Sequence, residues 1–249
     1  MPYNRTIRII SWNVDGIKAR FEAVKRLVAK YEPDILCLQK FKCSTSPEPF
    51  VLSGYGLYVS AAPYAGVATY FKDDVQVVEA LAEVRGHLHI LTTPEFTLFN
   101  AYAPYASRSI KGAVAKRNEF DHRLLDLVRV LKEKIIVCGD MNIVYGPQEV
   151  WDGKYVSPKP CFEEWERESF DYLLRNGRLI DTYRHFHPDE RGYTYFGQAH
   201  FNDYRAINRG SRIDYFLASE SFIPQITESS IIKDIIDSPS NPILLEFKY

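Results

Sequence analysis

The sequence predicts one α/β domain spanning residues 1–249, with two sheets at its centre. Three observations carry that expectation. A strand, a helix and a second strand follow one another closely after the N-terminus, as in a parallel βαβ unit. Strand-like runs then dominate residues 55–103. The loop-rich stretches, 44–54 and 146–160, are too short to link domains, although two small domains would also fit the length.

Residues 7–12 are short, β-branched and apolar, the signature of a buried strand. Ile17, Phe21, Val24, Leu27, Val28 and Tyr31 recur at helical spacing, and Pro33 stops the helix. Residues 34–39 form the second strand of the unit. Further strands are expected at 57–61, 67–71, 75–78, 89–92 and 96–101. A basic-rich helix over 111–132 aligns Phe120, Leu124, Leu127, Val128 and Leu131 on one face. The run 135–138 reads as a strand, 163–176 as a helix closing at Gly177, and 213–217 and 243–247 as the last strands.

Bulk composition bounds the function loosely. Hydrophobic residues at 46% and charged residues at 25% are ordinary for a globular chain. A net charge of −1 gives no global field for nucleic acid, although one face can still concentrate basic residues. No apolar run approaches a membrane span, and the N-terminus lacks the apolar core of a signal peptide. Cys37, Cys43, Cys138 and Cys161 form no CxxC pair, and Cys37 and Cys138 sit in apolar runs. Buried free thiols in a reducing intracellular compartment, cytoplasm or nucleus, are the expectation.

Four polar clusters follow apolar strands, at the rim where α/β proteins bind ligands. They are Ser11-Trp12-Asn13-Val14-Asp15-Gly16, Leu38-Gln39-Lys40, Gly139-Asp140-Met141-Asn142 and Ser211-Arg212-Ile213-Asp214-Tyr215-Phe216. Singly, each is as readily a turn or a cap. Their order is what is specific. With Pro33 to Gln39, Gly66-Val67-Ala68, Ala101-Tyr102-Ala103-Pro104 and residues 179–188, it resembles the exonuclease III/abasic-site (AP) endonuclease branch of the endonuclease–exonuclease–phosphatase superfamily over residues 7–247.

That resemblance implies a DNase I-like, four-layer α/β/β/α sandwich: two packed mixed sheets flanked by helices. It also implies a site for Mg²⁺ or Mn²⁺ that hydrolyses DNA. A phosphodiester repels nucleophiles, so a divalent ion neutralises it, a base activates water and donors hold its oxygens. By similarity Asn13 and Asp15 lie beside the metal, Asp140 orients or deprotonates water with Asn142 alongside, Tyr102 contacts the phosphate, and Asp214 orients a catalytic histidine.

The pattern then breaks. Where the family has its main metal-binding Glu, this chain has Lys40; in place of the family's Asp and His it has Pro239 and Ser240. No histidine follows His200, and Asp237 lies two residues before the lost Asp. Lys40 is either an internal counter-ion replacing the metal, which would then be absent or weakly held, or a lysine turned to solvent. Asp214 loses its histidine, and Arg212 is a candidate substitute partner. Tyr195-Phe196 and Ser211 replace Trp-containing positions of the family's abasic pocket.

Arg205, Asn208, Arg209 and Arg212 form one set suited to phosphates, and Arg108, Lys111, Lys116 and Arg117 another; both also read as solvated surface. His185 and His187, two apart in an extended segment, suit a surface or capping role better than a metal pair. Three functions follow: a DNA- or partner-binding homologue impaired in catalysis, an active phosphodiesterase using Asp15, Asp140 and Asp237, or an interaction scaffold with no nucleic acid. DNA, a protein partner and a monomeric state are the associated expectations.

Overall fold

The computed structural model describes residues 5–43, 48–60, 66–131, 134–152 and 159–248. The first half of the chain runs β1 (Thr6–Asn13), α1 (Ile17–Tyr31), β2 (Ile35–Gln39), β3 (Tyr55–Val59), β4 (Val67–Lys72), β5 (Glu79–Glu83), β6 (Leu88–Thr92) and β7 (Thr97–Tyr102). The second half runs α2 (Ala113–Leu131), β8 (Ile135–Asp140), α3 (Glu164–Gly177), β9 (Leu179–Asp181), α4 (Thr182–Phe186), α5 (Phe201–Ala206), β10 (Asp214–Ser219), β11 (Ile226–Ile231) and β12 (Ile243–Lys248).

The strands make two six-stranded mixed sheets, ordered β11-β12-β1-β2-β4-β3 and β5-β6-β7-β8-β10-β9. β1 and β2 are parallel across α1, as the βαβ pattern predicts, and β7 and β8 are parallel across α2. The sheets meet over Ile7, Ile9, Ile35 and Cys37 of the first and Leu98, Ile136, Cys138 and Phe216 of the second. α1 buries Ala23, Val24 and Leu27 on the outer face of the first sheet. Phe120 and Leu124 of α2 and Phe170 and Leu173 of α3 cover the second. This is the expected four-layer α/β/β/α sandwich. All four cysteines are free and buried. No helix among the described residues is long and apolar enough to cross a membrane.

Several local expectations change. Residues 75–78 are not a strand: Val75 closes a turn onto Lys72 and Val78 is exposed, because this segment carries the chain from one sheet to the other. The strand lies at β5 instead. The segment holding His185 is helical rather than extended, because Asp181 caps α4 by accepting from the Arg184 amide. β9, α5 and the edge strand β11 were too short or too mixed in composition to read in advance.

Topology builds the site. The parallel strands β1 and β2 end together, as do β7 and β8, while antiparallel β10 begins where β8 ends, with Asp214 opposite Asp140. Buried Gln39 donates to Ser11 Oγ and to Asn100 Oδ1, both at 2.9 Å, and Asn100 donates to the Ala68 carbonyl. These bonds clip the sheets together beneath the strand ends. Gly139, at φ 133°, lets β7 and β8 close up immediately before Asp140; a Cβ there would stand 1.9 Å from the Ala101 carbonyl oxygen.

Candidate functional site

The strand ends open into a cavity of about 500 Å³, lined by Asn13, Asp15, Lys40, Tyr102, Asp140 and Asn142, with Ser238, Pro239 and Ser240 on one wall. Six of the site residues expected from the sequence are therefore together. Asn13 Nδ2 donates to one Asp140 oxygen at 2.7 Å, and the Asn142 amide donates to the other at 2.9 Å. Asn142 is itself held by the Ala103 carbonyl. Burial pushes the Asp140 carboxyl up to about 6 despite those donors.

Lys40 points inward. Its Nζ lies 2.7 Å from Asp15 Oδ1, and Lys42 Nζ lies 2.7 Å from the same oxygen. Gln198 donates to Asp15 Oδ2 at 2.5 Å. Burial raises the Asp15 carboxyl, but the two ammonium groups and the amide outweigh it and hold the group down at about 2. The loops carrying these residues are zipped by Gly16 N–H to the Lys40 carbonyl and Ile17 N–H to the Phe41 carbonyl. Asp15, Lys40 and Lys42 all take left-handed backbone angles, so the arrangement is fixed by the chain rather than by side-chain chance. Sequence reasoning missed Lys42 and Gln198. The Lys40-Phe41-Lys42 alternation after a strand end was a usable signal for the first; nothing local marked the second.

Asp214 is buried beside Asp140 and Thr194. Neither carboxyl oxygen has a hydrogen-bond partner among the described residues, although Thr194 Oγ1 accepts from the Asp214 backbone amide nearby. Burial, followed by the Asp140 charge, pushes this carboxyl well above the ordinary range, outweighing the Thr194 hydroxyl that opposes them. An acid whose folded value is raised loses stability as pH rises from its unfolded value through its folded one. Asp214→Asn, uncharged throughout, is therefore expected to match wild type near pH 4 and to exceed it by about 1–3 kcal/mol by pH 8. Urea unfolding at the two pH values measures the difference, and an equal gap at both ends would contradict it.

Other candidates fall elsewhere. Arg212 is 1% exposed and donates to Asp181 and Glu149, so it neither partners Asp214 nor reaches nucleic acid. Arg117 is likewise buried, on Asp121, and Arg108 is bound to Glu163. Asp237 pairs with Arg26 of α1 and does not line the cavity, so it does not join Asp15 and Asp140 there. Arg205 donates to Asn241 Oδ1 and to the Ser238 carbonyl, locking the wall of the cavity rather than projecting from it. Asn208 and Arg209 are exposed on the loop after α5. His187 binds the Ser229 carbonyl and Glu190, a structural role, while His185 is exposed. Among the described residues no group of three His, Cys, Asp or Glu side chains is arranged to hold a metal ion.

The sandwich and its strand-end cavity define a class, and comparison agrees. Residues 10–236 match the Endonuclease/Exonuclease/phosphatase family, and the chain belongs to it. Its relatives are of exonuclease III and AP endonuclease type. It is 32% identical to recombination repair protein 1 of Drosophila melanogaster over 97% of this chain, and spans 37% of that longer protein. It is 29% identical to an exodeoxyribonuclease of Bacillus subtilis, covering 96% of this chain and 98% of that one. The fold superimposes on an AP endonuclease from Leishmania major with a TM-score of 0.89 at 19% identity, over 98% of this chain and 88% of the other.

Proposed function

We propose that this chain is a DNA-binding protein of exonuclease III/AP endonuclease type in which an internal ammonium replaces the divalent ion, so that it binds DNA without metal-dependent hydrolysis. The observation that carries the reading is Lys40 Nζ at 2.7 Å from Asp15. A Mg²⁺ or Mn²⁺ ion needs free carboxylate oxygens in a nearly ideal shell. Here one Asp15 oxygen already carries two ammonium groups, the other carries Gln198, and both Asp140 oxygens accept N–H bonds. A cation about 4 Å from Lys40 Nζ would also meet repulsion of several kcal/mol in a partly dry site. The remaining donors do not fit the ion, and Pro239 and Ser240 add no carboxylate or imidazole. What remains suits an anion: Lys40 and Lys159 bring positive charge to the cavity, Lys42 stands behind Asp15, and Asn13, Asn142 and Tyr102 offer polar atoms.

Binding of a short labelled abasic duplex in EDTA tests the reading. Affinity should persist without metal, fall steeply with salt as phosphate contacts are screened, and drop on Lys42→Ala. Under single-turnover conditions with Mg²⁺ or Mn²⁺ the duplex should stay intact. Metal-dependent cleavage by the unaltered chain, abolished by Asp140→Asn, would instead establish an active phosphodiesterase with a rearranged site. Absence of binding at low salt would leave only the scaffold reading.

A further inference from the structure

The main cavity does not end at its far wall. Ser211 and Tyr195 line it and also line a side groove of about 400 Å³. The groove is aromatic with a charged rim. The Arg209 guanidinium stands 4.7 Å from the Trp151 ring centroid and 5.3 Å from that of Tyr204. Lys159 and Asp152 complete the rim, so it carries charge of both signs. Trp151 is 45% exposed, so its ring is not part of the core packing.

Backbone bonds hold the described part of the wall. Trp151 N–H is bonded to the Gly210 carbonyl at 3.0 Å, and Ser211 and Tyr195 exchange backbone bonds at 2.8 and 2.9 Å. Gly210 permits this closeness, since a Cβ there would stand 2.8 Å from the Phe196 ring. Ser211, Tyr195, Phe162 and Lys159 line both spaces, so groove and polar cavity are contiguous. An aromatic plane under a weakly hydrated, planar cation, opening onto a pocket lined by Lys40 and Lys159, suits a flat π-faced group attached to a phosphate.

We infer that the side groove receives an intact nucleobase of single-stranded nucleic acid whose neighbouring phosphate lies in the Lys40 cavity. This rests on the reading that the chain binds DNA, and it adds that the site prefers a base to an abasic sugar. An abasic sugar presents no π-face to Trp151; every base does, which makes the groove tolerant of sequence.

The test uses two short single strands in EDTA, identical except that one carries an abasic analogue at its centre. The base-bearing strand should bind about tenfold tighter and quench tryptophan fluorescence more strongly. Trp151→Ala should equalise the two strands while leaving affinity for the abasic strand unchanged, and Trp151→Phe should keep part of the preference. Unchanged melting of both variants shows that they fold, as the exposure of Trp151 leads one to expect. Equal binding of the two strands by wild type, or a preference that survives Trp151→Ala, overturns the inference and leaves DNA binding standing. Failure of both strands to bind overturns both.

Discussion

Introducing together the residues that the family resemblance implies, Lys40→Glu with Pro239→Asp and Ser240→His, is expected to raise Mg²⁺-dependent cleavage of abasic duplex by several orders of magnitude over the unaltered chain. The expectation follows from charge and from cooperation. Lys40→Glu changes the charge beside Asp15 by two units and frees the oxygen that the ammonium now covers, leaving Lys42 as a single counter-charge. Ser240 and Asp214 flank one segment: the Asn241 amide binds the Thr194 carbonyl, and the Asp214 amide binds Thr194 Oγ1. An imidazole at position 240 would add a donor on the segment that Thr194 ties to Asp214. Residues that act as a unit lose or gain function as a unit, so each single change should do little. Besides single-turnover cleavage, thermal unfolding supplies an independent readout. A bound ion at 100 times its dissociation constant stabilises by about 2.7 kcal/mol, a shift expected in the triple variant and absent from wild type. A folded triple variant that gains neither shift nor cleavage would mean that the obstacle lies outside these three positions.

The fold was legible because its signals were local and periodic. α1 could be read to the residue, since its apolar spacing begins and ends sharply, β2 and β8 open on unbroken apolar runs, and β1 is rich in isoleucine. The elements that escaped, β9, α4, α5 and β11, are short or sit at an edge, where tertiary contacts decide conformation. α4 depends on a cap from Asp181, and that carboxylate is also fixed by Arg212 from far along the chain. The site was legible in the same uneven way. Asn13, Tyr102 and Asp140 end strands and Lys40 and Asn142 closely follow them, so topology alone brings them together. Gln198 reaches Asp15 across 183 positions, and no pattern in one segment encodes such a contact. Charge was the most misleading guide: Arg212, Arg117 and Arg205 are basic in sequence, but their partners are carboxylates and carbonyls inside the fold.

Arg212→Met is accordingly expected to lower stability by about 3–5 kcal/mol, the usual consequence of removing one partner from a buried ion pair. The guanidinium binds Asp181 Oδ2 at 2.6 Å and Glu149 Oε1 at 2.8 Å, and lies 4.5 Å from the Tyr215 ring centroid. Through these groups it ties the strand end of β10 to β9 and to the loop that holds Glu149. Burial raises the Glu149 carboxyl, but Arg212 and then Arg184 outweigh burial and hold it below its ordinary value. A depressed acid contributes stability above its unfolded value and loses it as pH falls through the folded value. The gap between wild type and Arg212→Met should therefore be widest at neutral pH and narrow toward pH 4, where Glu149 in the variant takes up a proton. Adding Glu149→Gln and Asp181→Asn should recover much of the loss, since no buried carboxylate is then left without its counter-charge. Urea midpoints at constant slope measure all of this. If Arg212 instead served nucleic acid, its replacement would leave the midpoint unchanged and flatten the salt dependence of DNA binding. The two roles thus separate cleanly, and the 1% exposure of the side chain argues for the first.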